Sequence, residues 1–210
     1  KTFVYEGGIK ALCFIKYPGK FRGHRKLDNI SAHIDILPTI LDLCEIPYDS
    51  KDFDGCSLAA LLKGETDRLP ERYFFWQSHY GLPQKGRAFA VRKDSFKLVQ
   101  QNKINGSFNP EKGKNYELFN IIKDPYEKNN IIDKNAIIKK KLVTAYEKWF
   151  DDVTSENVNL PYLIALNPEF QDPVFLTRRD WLGTRGIQDN EVGHWNVDVK
   201  NKTAYTLEVG

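Results

Sequence analysis

The first apolar run of the chain covers residues 11–15, Ala-Leu-Cys-Phe-Ile, and it has the length of a strand. A continuous apolar run of this length is typical of a strand covered on both faces in a sheet flanked by helices. Gly7 and Gly8 precede the run, and glycine adopts backbone conformations that other residues avoid. We therefore predict a buried strand at 11–15, with Glu6 and the residues before it presented at a sheet edge.

Helical spacing follows over residues 31–44. Asp35 is expected to cap the free N–H groups of the first turn, where Pro38 is also tolerated. The apolar positions expected to pack on a sheet are Ile36, Leu37, Ile40, Leu41 and Cys44. His33, next to the cap, is interpreted as structural, with a catalytic or ligand-binding role as the alternative.

A second, shorter helix is predicted within residues 54–64. Ser57 is the expected cap, and Gly64 is expected to end the helix. Between the apolar run and the first helix, the basic stretch 19–29 is interpreted as a solvated loop. Contact of this loop with an anionic ligand stays open, through Arg22, His24, Arg25 or Lys26.

Beyond residue 71 the pattern becomes one of aromatic strands. Residues 72–79 and 87–100 have β propensity, and a turn-rich stretch joins them, so they are expected to pair. Residues 93–95 form a turn within the second stretch, and 116–120 is a further strand. An amphipathic helix is predicted over about 133–152 and should cover one face of this sheet, through Ile138, Leu142, Tyr146, Trp149 and Phe150.

The last part of the chain has weaker signals. Prolines interrupt residues 159–175, which favours an ordered linker, and 181–186 is expected to be a turn. The tail alternates apolar and polar residues around Asn201 and Lys202, which predicts a hairpin of 194–200 with 203–209. The predicted organisation thus has three parts. Residues 1–70 carry the buried strand and the two helices, residues 71–152 form a sheet and a helix, and residues 153–210 form a linker with a partial β module.

Composition excludes several classes of protein. The 210 residues are 41% hydrophobic, which is a globular composition, and 31 basic against 28 acidic residues give a net charge of +3 that is too small to indicate nucleic acid. No apolar run reaches the roughly 20 residues that cross a bilayer. The cysteines Cys13, Cys44 and Cys56 lack metal-binding spacing and are expected to be buried free thiols.

Several motifs, in order, resemble the sulfatases, which are relatives of alkaline phosphatase. Residues 1–10 are similar to the family segment Lys-Gly-x-x-x-Glu-Gly-Gly-x-Arg, with Thr2 in place of the glycine and Lys10 in place of the arginine. Residues 33–39 resemble His-x-Asp-x-x-Pro-Thr, and 54–64 resemble Asp-Gly-x-Ser-Leu-x-x-x-Leu-x-Gly. The resemblance implies the end of an alkaline-phosphatase-like α/β domain followed by a small antiparallel sheet on a long helix, with a short β tail.

The strands carry the same resemblance. Residues 91–98 are similar to the family pattern Val-Arg-x-x-x-x-Lys-Leu, 116–120 to its Glu-Leu-Tyr-Asp strand, and 124–130 to its Asp-Pro-x-Glu-x-x-Asn turn. The acidic and amide side chains of that turn are expected to bond local backbone, and they are Asp124, Glu127 and Asn130. The likeness covers about residues 1–150 and is to the bacterial carbohydrate-sulfatase and arylsulfatase type.

The resemblance implies which residues act. Lys1 stands at the family position that binds the sulfate group, so it is the candidate catalytic residue. From the residues themselves, the polar side chains Gln77, His79 and Arg87 beside the turn at 80–86 are candidates for substrate binding, with ordinary strand-end roles as the alternative. Residues 102–114 are a further candidate rim.

The family's nucleophile is, by resemblance, the hydrate of formylglycine made in Cys/Ser-x-Pro-Ser/Thr-x-Arg beside a calcium ion. That motif is absent here, so calcium and formylglycine are implied only for the complete protein, and this chain supplies no metal ligand. We expect a C-terminal fragment, inactive alone, whose partners are the preceding part of the same protein and a sulfated carbohydrate or aryl sulfate. The resemblance also implies a periplasmic or secreted location.

Two alternatives to sulfate ester hydrolysis stay open. The same scaffold serves phosphodiesterases and phosphonate hydrolases, which use a different nucleophile. A non-catalytic glycan-binding module is favoured by the missing nucleophile and by the aromatic strands.

Overall fold

The computed structural model describes residues 3–21, 23, 25–78, 83–101, 115–155, 163–167, 169, 173–177, 193–201 and 204–208. The chain divides into two compact units. One consists of Lys1–Ser78 and Gly86–Lys148, and the other of His79–Lys85 and Trp149–Gly210. The domain boundaries at residues 70 and 152 stay predictions.

A four-stranded antiparallel sheet forms the centre of the first unit. Its strands are β1 (Tyr73–Gln77), β2 (Phe89–Lys93), β3 (Phe96–Gln100) and β4 (Glu117–Asn120). They lie in chain order, each bonded to the next. Asp94 makes the tight turn between β2 and β3 in a left-handed conformation, with φ of 51°. The predicted strands and their pairing are confirmed.

The two faces of this sheet are covered differently, because side chains alternate along each strand. On one face the ring of Phe89 stacks on Tyr146 of the long helix α4 (Ala136–Val153), with ring centroids 3.5 Å apart. On the other face Val4, from the start of the chain, joins a core with Ala90, Val99, Phe119 and Ile121. The central strands are therefore buried on both sides.

Helix α4 agrees with its prediction. It spans Ala136–Val153, against a predicted range of about 133–152. Its buried side chains are Leu142, Tyr146 and Phe150, which recur at intervals of four residues and so share one helical face. The amphipathic pattern thus identified both the helix and its buried face.

Before the sheet, the described residues form three short α-helices. These are α1 (Glu6–Ile9), α2 (Ile36–Leu43) and α3 (Ala59–Lys63). Gly64 ends α3 in a left-handed conformation with φ of 83°, as predicted. The N-cap position is held by Leu58 rather than by the predicted Ser57, whose hydroxyl accepts a hydrogen bond from the N–H of Ala59 at 3.1 Å.

The predicted buried strand at residues 11–15 is wrong. These residues form no strand or helix and are exposed, Leu12 at 85% and Phe14 at 88%. An apolar run indicates a tendency to be buried, but a strand also needs a neighbour to pair with its backbone. Within the described residues nothing pairs with or covers this run.

The predicted buried face of α2 is also wrong. Ile36, Leu37 and Ile40 are each about half exposed, and the buried positions of the helix are Pro38 and Thr39. Thr39 is held because its hydroxyl donates to the Asp35 carbonyl and accepts from the N–H of Leu58. The helix therefore packs on α3 through the side that carries Pro38 and Thr39. The expected sheet beneath Ile36, Leu37 and Ile40 is not found among the described residues.

The second unit contains a small two-stranded sheet that differs from the predicted hairpin. Strand β5 (Ile164–Leu166) pairs in parallel with β6 (Val197–Val199). Residues 204–208 form no strand, so β6 finds its partner about 30 residues earlier rather than across the adjacent turn. The predicted turn at 181–186 lies outside the described residues.

Two further sequence expectations concern the cysteines and the membrane. The three cysteines are free, as predicted, but Cys13 and Cys44 are exposed rather than buried because the segments that carry them are uncovered. Over the part of the chain that the structure describes, no helix combines the length and the apolar composition that spanning a membrane requires.

Candidate functional site

The segment that follows Lys1 is fixed to the sheet by several contacts. Lys1 and Thr2 lie outside the described residues. The side chain of Val4 is buried, and its N–H donates to Oε1 of Gln101 at 3.0 Å. The Tyr5 hydroxyl donates a short hydrogen bond to the carboxylate of Glu117. Burial, first of all, and this carboxylate raise the pKa of Tyr5, so the phenol keeps its proton and stays a donor.

Gly8 completes this attachment. A Cβ atom at Gly8 would lie 2.0 Å from the carbonyl oxygen of Phe3, whereas one at Gly7 would meet nothing within 4 Å. Both glycines lie in α1, so the expectation that they provide special backbone angles is wrong. Gly8 is required because the chain passes too close to itself for a side chain.

A buried cluster of charges joins the same segment to the sheet. The ammonium of Lys97 lies 2.9 Å from Oε1 of Glu6 and 2.8 Å from Oε1 of Glu127. The second contact has ion-pair distance without hydrogen-bond geometry. The other carboxylate oxygen of Glu127 accepts from the N–H of Glu6 at 2.6 Å. The side chains of Lys97 and Glu127 are buried, and that of Glu6 is nearly so.

The turn at 124–130 therefore differs in part from its prediction. Asp124 accepts from the N–H of Asn129, and Asn130 accepts from those of Leu118 and Ile132, so these two side chains bond backbone as expected. Glu127 instead reaches a residue 121 positions earlier. Sequence alone carries a weak signal for this cluster, namely a lysine between the apolar residues Phe96 and Leu98 of strand β3.

At the other end of β1, the predicted substrate-binding residues Gln77 and Arg87 are brought together. The amide of Gln77 donates from Nε2 to the carbonyl oxygen of Arg87 at 2.7 Å and accepts at Oε1 from the Tyr146 hydroxyl at 2.9 Å. That hydroxyl accepts in turn from the N–H of Gly86. Burial is the main cause that raises the pKa of Tyr146 to about 12. His79 and the rim at 102–114 lie outside the described residues.

Asp35 occupies a second buried polar centre. Its carboxylate is fully buried and accepts four hydrogen bonds, from the N–H of Ala32 at 2.8 Å, from the N–H of Cys56 at 2.9 Å, and from both terminal nitrogens of Arg72 at 2.5 and 2.6 Å. Burial alone would raise the pKa of Asp35, but Arg72 and the two N–H groups outweigh it and lower the pKa.

This geometry corrects the predicted role of Asp35. The carboxylate does not cap α2 and instead joins three separate segments of the chain. Gly55 lets the chain pass close to it, since a Cβ there would lie 2.1 Å from the carbonyl oxygen of Ile34. His33 is exposed at the start of a 3-10 turn before α2. Sequence reasoning missed this role of Arg72, whose only signal is its place as the first residue of a predicted strand.

The basic loop at 19–29 has partners for some of its cations. Nη1 of Arg25 donates to the carbonyl oxygens of Leu61 and Leu62 at the end of α3. Lys26 pairs with Asp28 on the surface at 2.9 Å. Arg22 and His24 lie outside the described residues. The alternative of an anionic ligand at this loop stays a prediction.

Among the described residues, no group of three or more His, Cys, Asp or Glu side chains is arranged to hold a metal ion. The carboxylates that lie around Tyr5 and Glu6 already have partners in the chain. Glu6 and Glu127 pair with Lys97, and Glu117 accepts from Tyr5.

A family model described as N-sulphoglucosamine sulphohydrolase, C-terminal, matches residues 1–154. Because the match covers most of the chain, the protein belongs to this family of sulfatase C-terminal regions.

Curated relatives agree with this assignment. An N-acetylglucosamine-6-O-sulfatase of Bacteroides thetaiotaomicron is 27% identical over 146 residues, which cover 67% of this chain and 24% of the relative. A sulfatase of Schizosaccharomyces pombe is 27% identical, over 76% of this chain and 30% of the relative. The chain thus spans less than a third of the length of these relatives.

Among solved structures, one determined in complex with its substrate D-glucosamine-2-N,6-O-disulfate is similar to 69% of this chain and 28% of its own. The identity is 23% and the TM-score is 0.47.

Proposed function

We propose that this chain is the C-terminal part of a sulfatase, and that the complete protein hydrolyses sulfate esters of sulfated carbohydrates. The observation that carries the proposal is the family match over residues 1–154. The similarity to an N-acetylglucosamine-6-O-sulfatase supports a carbohydrate substrate. The activity belongs to the complete protein, because the chain spans only 24% of that relative.

Lys1 is the proposed catalytic residue. A sulfate ester carries its charge on the sulfuryl oxygens, and an ammonium group beside one of them stabilises the charge that develops as the S–O bond breaks. The role requires a defined position for the lysine. The attachments of Val4, Tyr5 and Glu6 to the sheet support it, since they fix the chain within five residues of Lys1.

Substrate recognition is proposed for Gln77, His79 and Arg87. Gln77 is held by Tyr146 and in turn holds the backbone at Arg87, so these two positions form one support where β1 ends and β2 begins. Polar groups on a rigid support beside aromatic side chains suit a sugar ligand. Both polar atoms of the Gln77 amide already bond within the chain, so its proposed part in recognition is to hold this support.

The nucleophile and the metal are proposed to come from another part of the complete protein. The described residues do not fit a calcium site, and the sequence has no motif for formylglycine. Formylglycine as the nucleophile, calcium as its neighbour, and a periplasmic or secreted location are proposed from family membership. This chain contributes the lysine and the substrate-recognition support.

The test measures inorganic sulfate released by the complete protein from an aryl sulfate and from a panel of sulfated sugars. Lys1→Ala is expected to lower kcat by about 10²–10³-fold, the loss seen when a group that stabilises developing charge is removed. The control is Lys16→Ala, which removes an exposed lysine from the irregular stretch after α1 and should leave turnover unchanged.

Two other results would replace the proposal. Cleavage of phosphate diesters or phosphonates without sulfate release would favour a hydrolase of the related class. Binding of a sulfated glycan with no turnover of any ester would favour a binding module.

A further inference from the structure

We propose that the buried charges of Lys97, Glu6 and Glu127 position the segment that begins at Lys1, so that Lys97 and Glu127 are positioning residues for turnover. This rests on the proposed function of Lys1. The three residues touch no reacting group in the described structure. They act through the backbone between Glu6 and Lys1.

Burial makes this cluster costly. The side chain of Lys97 is 0% exposed and that of Glu127 is 3% exposed. A buried ion pair contributes little net stability compared with apolar residues of the same volume, since desolvation offsets the attraction. The ammonium of Lys97 also lies 5.8 Å from the centre of the Trp76 ring. What such a cluster provides that apolar packing does not is a fixed partner for each charged group, because an unpaired charge is costly to bury.

The contacts converge on Glu6 from two separate elements. Lys97 lies within β3 and is paired in register with Arg92 and Phe119, so the sheet fixes its backbone. Glu127 lies in the turn after β4, with φ of 54°, a left-handed conformation that costs a non-glycine residue about 1 kcal/mol or more. Strain of this kind persists only where surrounding contacts hold it. Glu127 uses it to bond both the Glu6 N–H and Lys97.

The neighbouring contacts pass this constraint towards Lys1. Val4 is fixed through Gln101, and the N–H of Gly8 donates to the carbonyl oxygen of Tyr5 at 2.8 Å, which closes the turn after Val4. Two peptide units separate Phe3 from Lys1, which corresponds to a reach of about 7 Å. A shift of the anchor is therefore transmitted to Lys1 over a short length of chain. A displacement of about 1 Å from the productive position lowers turnover by about a hundredfold.

The experiment is a double-mutant cycle in the complete protein. Glu127→Gln keeps the size of the side chain and removes the ion pair with Lys97. We expect it to lower kcat at least tenfold with little change in KM in the natural background, and to have no further effect when combined with Lys1→Ala. A substitution that acts through Lys1 cannot reduce a contribution that is already absent.

The matched control is Arg72→Gln, which removes the cation of the other buried ion pair, Asp35 with Arg72. Its effect on kcat should be the same with and without Lys1. If Glu127→Gln and Lys1→Ala were also independent, the positioning role would be overturned. Glu6→Gln replaces Glu127→Gln in the cycle if the latter does not fold.

Hydrogen exchange separates this proposal from the proposed function. Glu127→Ala should speed exchange of the Glu6 amide by about tenfold or more, because its charged acceptor is lost, while the amides of β2 stay protected. Accelerated exchange in a protein that releases no sulfate would leave the anchor standing, overturn the sulfatase assignment and remove the role in turnover. Unchanged exchange would overturn the anchor itself.

Discussion

Replacing Asp35 by asparagine tests the most densely bonded carboxylate of the described structure. Each carboxylate oxygen of Asp35 accepts one hydrogen bond from a main-chain N–H and one from the guanidinium of Arg72. An asparagine amide has one oxygen and one NH₂ group. In either orientation of the amide, its NH₂ faces two donors, so two of the four hydrogen bonds become donor–donor contacts.

The magnitude follows from burial. The Asp35 side chain is fully buried and that of Arg72 is 15% exposed, so the guanidinium is left without its charge partner and with little access to water. Removal of one member of a buried ion pair costs about 3–5 kcal/mol. We therefore expect Asp35→Asn to lower the free energy of unfolding by that amount. Isosteric replacement leaves no cavity, so packing adds little.

The assay is urea unfolding of the complete protein, monitored by tryptophan fluorescence. The free energies of unfolding of the variant and the natural protein are compared where both have the same dependence on urea concentration. Asp28→Asn is the matched control, because Asp28 pairs with Lys26 on the surface with both side chains at least 80% exposed. Solvent-exposed pairs contribute little, so the control should show no measurable change. A loss below about 1 kcal/mol for Asp35→Asn would refute the inference that this ion pair holds the three segments together.

The same pair has a defined pH dependence. The folded pKa of Asp35 is lowered, so the unfolded state binds the proton more tightly, and unfolding takes up a proton as the pH falls. Its contribution is fully present above the unfolded value near 4 and declines as the pH falls towards the folded pKa. The stability difference between the natural protein and Asp35→Asn should therefore shrink below about pH 4. A difference that grew in acid would contradict this sign.

Two further substitutions test the contacts around the proposed site, both by urea unfolding. Gly8→Ala should destabilise the protein by about 2 kcal/mol or more, because the new Cβ would lie 2.0 Å from the carbonyl oxygen of Phe3. Gly7→Ala, the control, should be neutral or slightly stabilising. Equal effects of the two substitutions would refute the close approach at Gly8. Tyr146→Phe should lower the free energy of unfolding by about 1–3 kcal/mol, because Gln77 and Gly86 lose the hydroxyl that both of them bond. Tyr126→Phe, the control at an 80% exposed ring, should cause no measurable change. If Tyr146→Phe were also neutral, the support proposed for substrate recognition would be refuted.

The elements that sequence predicted well are those whose information is local. Strands β1 to β4 have β-branched and aromatic residues bounded by turn residues, and neighbouring strands pair in chain order. Helix α4 carries its period over 18 residues, so its buried face could be read from the spacing alone. Each strand pairs with the next strand along the chain, and α4 packs on the sheet that precedes it.

The elements predicted wrongly depend on partners that the pattern does not specify. Residues 11–15 and the apolar face of α2 have the composition of buried segments, but no described residue covers them. Strand β6 alternates as a hairpin strand would, yet it pairs in parallel with β5, and pairing at that separation leaves no signal in the alternation. The apolar pattern thus predicts a tendency to be buried and does not identify the segment that would cover these residues.

The candidate site was predictable only in part, for the same physical reason. Composition places lysine and glutamate on the surface by default, so the burial of Lys97 and Glu127 runs against the rule that identified the core. Their joint effect depends on three charges that meet from positions 6, 97 and 127. Sequence reasoning placed Glu6 at a sheet edge and expected Glu127 to bond local backbone, because the pattern along the chain does not show that these carboxylates meet a buried lysine.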